Sequence, residues 1–102
     1  MDTAEVCFTV TLCDFDGLPE TERLRAEQRY ARTLSRQLGG DEQVSETLYH
    51  VQRLEDAPPE EITDEAKQMF TRWMKAMRAA TEAGMQGLGG SDGCYFDVRI
   101  AR

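Results

Sequence analysis

The sequence predicts an α+β fold in which two terminal strands pair antiparallel beneath three helices, and three observations predict it. The chain opens and closes with short segments that alternate apolar and polar residues, at 4–13 and 94–102, the two-residue period of a strand with one face in the core. Thr63 to Leu88 holds helical periodicity without a break. The pairs Gly39-Gly40 and Pro58-Pro59 cut the intervening chain into pieces of helix length.

The first strand, AEVCFTVTLC, puts Val6, Phe8, Val10 and Leu12 on one side and Cys7, Thr9, Thr11 and Cys13 on the other. Asp14 to Gly17 turns the chain, and Pro19 suits the first turn of a helix over 19–38. Leu24, Ala31, Leu34 and Leu38 form a narrow stripe on that helix, and Glu27 and Gln28 dilute it. Opposite the stripe, Arg25, Arg29, Arg32 and Arg36 make a basic row about 16 Å long at 1.5 Å per residue. Tyr30 is the helix's one aromatic residue.

Residues 41–56 suit a short helix carrying Val44, Leu48 and Val51, with Asp41 as its cap. TLYHV is also rich in strand formers, and a strand there would give a β-α-β-α-β order. Helix is preferred, because strand alternation would force Leu48, His50, Gln52 and Leu54 onto one face. Asp56 to Glu61 is a stiff acidic connection that cannot be helical through the residue before each proline.

The long helix follows, with Thr63 as N-cap and Asp64 and Glu65 at the positive end of its dipole. Ala66, Met69, Phe70, Trp73, Met77, Ala80 and Gly84 share its expected core face, and a cluster of glycines (Gly84, Gly87, Gly89, Gly90) ends it. Met74, Thr81 and Met85 widen the apolar arc to about 200°, twice what a surface helix needs. Such a helix has two surfaces to cover. The last strand places Cys94, Phe96, Val98 and Ile100 against the core. Two strands alone are marginal, so they are expected to pair with each other, with an open edge able to recruit a second copy.

At 102 residues the whole chain, 1–102, fits a single domain. Its 40% hydrophobic and 30% charged content is that of a folded globular protein rather than a disordered one. No apolar run is long enough to span a bilayer and the first residues lack a signal-peptide pattern, so a cytoplasmic location is expected. Three cysteines without CxxC spacing and the single histidine, His50, point to neither a disulfide framework nor a zinc site. No cofactor or metal is expected.

The net charge of −7 is unevenly spread: −4 over 1–17, +2 over 18–40, −8 over 41–65, +3 over 66–88 and zero thereafter. Phosphate neutralisation supplies most nonspecific nucleic-acid affinity, so an acidic chain is discounted as a polyanion binder. The candidate partner-binding surface is instead acidic, comprising Glu55, Asp56, Glu60, Glu61, Asp64 and Glu65. Docking onto a basic surface would speed encounter. Met74 and Met85 are the candidate partner or dimer contacts, since methionine adapts to irregular surfaces.

One short motif bears on catalysis. VTLCDFDGL at 10–18 resembles the first motif of the haloacid dehalogenase-like phosphatases, an apolar strand ending in Asp-x-Asp-Gly. The resemblance implies Asp14 as nucleophile and Asp16 as general acid, both helping to hold magnesium. Leu18 departs from the family's Thr or Val, its distal acidic pair and lysine have no counterpart in context, and a doubly wound sheet does not fit in 102 residues. Neither a Walker loop nor HExxH is present, and His50 has no partner at a recognised spacing.

The expectation is therefore a small, acidic, non-enzymatic protein-binding module. Inhibitors of nucleases or of other nucleic-acid-binding machines, of the immunity, antitoxin or phage counter-defence type, have this character. A nucleic-acid-binding homodimer using the arginine row is the alternative, and a small magnesium-dependent phosphatase using Asp14 and Asp16 is third.

Overall fold

A computed structural model describes residues 8–14, 17–86, 88 and 94–100. Val6, Cys7, Asp16, Gly87, Gly89 and Gly90, to all of which the sequence assigns parts, lie outside the described residues. The element order is β1 (Phe8–Cys13), α1 (Glu20–Leu38), α2 (Asp41–Glu55), a 3-10 turn at Pro59–Glu61, α3 (Asp64–Met85) and β2 (Tyr95–Ile100). The fold is α+β, as predicted, and the 41–56 segment is a helix.

β1 and β2 pair antiparallel, with Phe8 opposite Ile100, Val10 opposite Val98 and Leu12 opposite Phe96. Residues directly opposite share a face, so these six side chains form one apolar surface. Phe8, Leu12 and Phe96 are buried in the core. The other face carries the Thr9–Arg99, Thr11–Asp97 and Cys13–Tyr95 pairs.

The helix ends follow from local chemistry. Gly39 takes a left-handed φ of 97° after α1, and its N–H and that of Gly40 both donate to Ser35 O at 2.9 and 2.8 Å, a turn that a residue with Cβ adopts only under strain. Gly40, rather than the expected Asp41, is the N-cap of α2, and Asp41 is its first helical residue. Thr63 caps α3 as predicted, its Oγ1 accepting from Ala66 N–H at 3.1 Å.

Two stripes differ from expectation. On α1 the buried residues are Ala26, Tyr30, Leu34 and Leu38, while Leu24 is exposed and Ala31 half-buried. Every fourth residue faces inward because α1 is covered on two sides, by the sheet and by α3. Glu27 sits beside this stripe for a reason: its carboxylate accepts the Leu12 backbone N–H at 2.8 Å, on the edge of β1 away from β2. On α3 the buried residues are Trp73, Ala76, Ala80 and Gly84. Phe70, expected in the core, is 42% exposed.

α1 and α3 run antiparallel and cap one another. Arg72 of α3 donates to Leu38 O at the end of α1 (3.4 Å), and Arg29 of α1 donates to Ala83 O, Gly84 O and Gln86 O at the end of α3 (3.1, 3.0 and 2.8 Å). Gly84 lets the helices and sheet meet. A Cβ there would stand 2.6 and 2.9 Å from the Phe96 ring and 3.3 Å from Ala26 O. Phe96 cannot swing aside, because Tyr30 stacks on it at 4.5 Å between centroids.

Gly84→Ala is therefore expected to destabilise the fold by about 2 kcal/mol, overpacking outweighing the gain of about 1 kcal/mol that alanine brings to a helix interior. Urea denaturation measures it, and Phe96→Leu in the same chain should recover part of the loss. A stabilised Gly84→Ala would mean the contact is not tight.

The molecule is flat, with extents of 45 × 40 × 20 Å and a radius of gyration of 14.7 Å, against about 13 Å for a compact chain of this length. A slab two layers thick leaves part of each layer uncovered. The uncovered part is where α2, α3 and β2 meet.

Candidate functional site

An apolar groove of two lobes runs between α2 and α3. The outer lobe, about 500 Å³, is lined by Val51, Leu54 and Glu55 of α2, Ile62 from the connection, and Lys67, Phe70 and Thr71 of α3. The inner lobe, about 390 Å³, reaches Met74 and Met77 of α3 and Asp97 and Val98 of β2, and shares Val51, Glu55 and Phe70 with the outer one. Phe70 is 42% and Met74 50% exposed, so one flank of α3 offers large apolar side chains to solvent. Both lobes join into a continuous greasy strip, the type of patch that marks an interaction site.

This strip explains the wide apolar arc of α3. One side of the arc, through Trp73, Ala76 and Ala80, is core. The other, through Phe70 and Met74, overhangs α2 and has no layer above it. Periodicity alone puts Phe70 with the core, and the excess width of the arc is the sequence signal against it. Leu54 and Ile62, absent from the expected site, join it because the proline-stiffened connection folds Ile62 back beside the end of α2.

The acidic residues gather at the same end. Glu55 lines both lobes; Asp56, Glu60, Glu61, Asp64 and Glu65 follow along the connection and the first turn of α3, and all six are exposed. Among the described residues the ion pairs are Arg23 with Glu20 and Glu27, Arg25 with Glu22, and Arg99 with Asp97, and none of them involves any of the six. Lys67 is the one basic residue lining the outer lobe.

The other candidate residues are dispersed. Met85 is half-buried, packed against the core with its Sδ 3.9 Å from Cys94 Sγ, so it stands apart from Met74 and the groove. The arginine row is divided: Arg29 is half-buried and spends its guanidinium on α3 carbonyls, Arg25 lies 3.6 Å from Glu22, and only Arg32 and Arg36 remain exposed with no partner among the described residues. Tyr30 is fully buried. Asp14 is an exposed turn residue with a left-handed φ of 60°, and its companion Asp16 lies outside the described residues.

His50 is exposed and edge-on to Tyr49, with ring centroids 5.6 Å apart. Arg53 lies over the same tyrosine and donates to its hydroxyl at 3.3 Å. Among the described residues no three His, Cys, Asp or Glu side chains converge as a metal site, and no helix is long and apolar enough to cross a membrane.

No protein-family model, curated protein or solved structure matches the chain.

Proposed function

We propose that the protein is a non-enzymatic binding module that docks a protein partner with a basic surface through the acidic end of the groove. The observation that carries this reading is six exposed carboxylates at the end of α2, along the connection and in the first turn of α3, none paired among the described residues, with Glu55 among them lining an apolar groove that Phe70 and Leu54 help to form. Apolar anchors supply contact area and the unpaired charges supply steering and register. Nucleases and other nucleic-acid-binding machines offer such surfaces, since they are built to hold phosphate. A small acidic chain covering that surface is an inhibitor of the immunity, antitoxin or phage counter-defence type.

The test is affinity capture from the native host with wild type and with Glu55, Asp56, Glu60 and Glu61 all changed to Lys. Wild type is expected to retain a basic protein, and the reversed bait to lose it. Association of the captured protein should slow at least about tenfold for the reversed variant at low salt, and less at physiological salt, where screening sets in beyond about 8 Å. Equal capture by both baits would defeat the proposal. In a gel shift at physiological salt wild type is expected to leave DNA and RNA unmoved, because the arginine row offers few free phosphate contacts against a background of −7.

A further inference from the structure

β2 has an unpaired edge whose sequence is its own complement. Leu12 N–H donates to Glu27 on the side of β1 away from β2, so Leu12 and Phe96 form a non-hydrogen-bonded pair of the ladder. Antiparallel alternation then turns the N–H and C=O groups of Phe96, Val98 and Ile100 outward. Among the described residues nothing bonds to them. The matching edge of β1 is met by Glu27, whereas β2 borders the inner lobe of the groove beside Met74 and Met77.

Phe96-Asp97-Val98-Arg99-Ile100 reads apolar, acid, apolar, base, apolar. Reversed, it places base against acid and apolar against apolar. We propose that two copies of the chain join β2 to β2, antiparallel about a two-fold axis at Val98, to form a continuous four-stranded sheet. In this register Val98 meets the second copy's Val98, and Phe96 meets its Ile100. These are the residues with outward backbone groups, and they exchange about six hydrogen bonds.

Asp97 and the second copy's Arg99 form non-hydrogen-bonded pairs, where opposing Cα atoms stand about 4.5 Å apart and side chains lie closest. Within one copy the Arg99 Nε to Asp97 Oδ2 contact is 2.7 Å, on side chains 78% and 35% exposed. Such a solvated pair is weak and opens readily into a ring of four alternating charges around the axis. Moving the axis by one residue sets Asp97 against Asp97, or Arg99 against Arg99. Charge selects the register.

The dimer also accounts for the flat shape and for the exposed Met74 beside the inner lobe. A two-stranded sheet is marginal, and four strands over helices from both copies are not. The inner lobe, which Glu55 also lines, lies at the junction, while Asp56, Glu60 and Glu61 lie outside it, so variants at Asp97 and Arg99 test this pairing separately from the partner proposed above.

Charge exchange in the strand tests it by sedimentation equilibrium at tens of micromolar. Wild type is expected to be a dimer. Arg99→Asp alone and Asp97→Arg alone should each weaken dimerisation at least about tenfold, because both pairs across the axis become like-charged. An equimolar mixture of the two variants should recover the dimer, since each copy then faces its opposite charge, although neither copy keeps its own in-strand pair. Asp97→Arg with Arg99→Asp in one chain should dimerise as wild type does, and it retains the in-strand pair, so it reports on pairing if a single variant folds poorly. A monomeric wild type, single variants that dimerise undiminished, or a mixture that stays monomeric would each overturn the proposal.

Discussion

Arg29→Ala is expected to destabilise the fold by about 3 kcal/mol, because charge-assisted hydrogen bonds to three carbonyls are lost together and two of them, Ala83 O and Gly84 O, are left without that donor in a half-buried site. The last turn of α3 contains no basic residue of its own, and the helix ends at Gln86 in an extended conformation rather than in a glycine cap. Arg29, reaching across from α1, is what satisfies that end: its Nε and Nη2 hold Ala83 O, Gly84 O and Gln86 O at 2.8–3.1 Å. It also sets a positive charge against the negative pole of the helix dipole. Arg29→Lys should recover little, since an ammonium cannot present the planar fork that spans three carbonyls. Thermal unfolding should show Arg29→Ala melting more than about 10 °C below wild type, while Arg32→Ala and Arg36→Ala stay within a degree or two. Equal behaviour of all three would restore the arginine row as a uniform surface.

Raising the pH through 10 to 12 is expected to remove about 3 kcal/mol of stability in wild type and far less in Tyr30→Phe. Burial pushes the Tyr30 phenol up from 10.0 to about 12, and the nearby Thr81 hydroxyl offsets this only in part. The two hydroxyls stop short of a well-formed hydrogen bond, and among the described residues Tyr30 Oη has no partner. The folded pKa lies above the unfolded one, so the contribution is fully present below pH 10. It declines as the unfolded chain begins to ionise and is gone above about pH 12. Two pKa units correspond to about 3 kcal/mol. Tyr49 and Tyr95 are exposed and remain in both proteins, so the difference in urea midpoint between pH 8 and pH 12 isolates Tyr30. At neutral pH Tyr30→Phe should match wild type or exceed it by about 1 kcal/mol, because it removes a buried hydroxyl that no acceptor rewards. A loss of stability at pH 8 would show instead that Thr81 holds the hydroxyl firmly.

Much of the fold was legible in the residues. Alternation marked both strands, and the absence of any intervening strand left them only each other as partners. Capping chemistry at Thr63 and the Gly39-Gly40 break set two helix ends, and the lack of clean alternation at Leu48, His50 and Leu54 correctly argued for helix over 41–56. Patterning works at these places because the decision is local: a period, a hydroxyl at a first turn, or a residue that tolerates positive φ is settled within a few residues of chain.

The candidate site was legible in its ingredients and not in its assembly. The excess apolar width of α3 and the acidity of 41–65 were both visible in the sequence, but that Glu55 and Met74 line one groove depends on where α2 lies beside α3. Arg29 and Tyr30 show the limit from the other direction. Arg29 reads as part of a surface row, yet it is drawn inward by orphaned carbonyls 54 and more residues away, and Tyr30, to which the expected stripe gave no place, is buried against the Phe96 ring. Phe70 reads as core and is exposed. The sequence by itself determined the elements, their order, the pairing of the terminal strands and the charge complement of β2 read backwards. The tertiary structure decided which apolar side chains are covered, which arginines are spent within the fold, and which strand edge is left open, because covering a group depends on the packing of elements distant in the chain, and no local period records it.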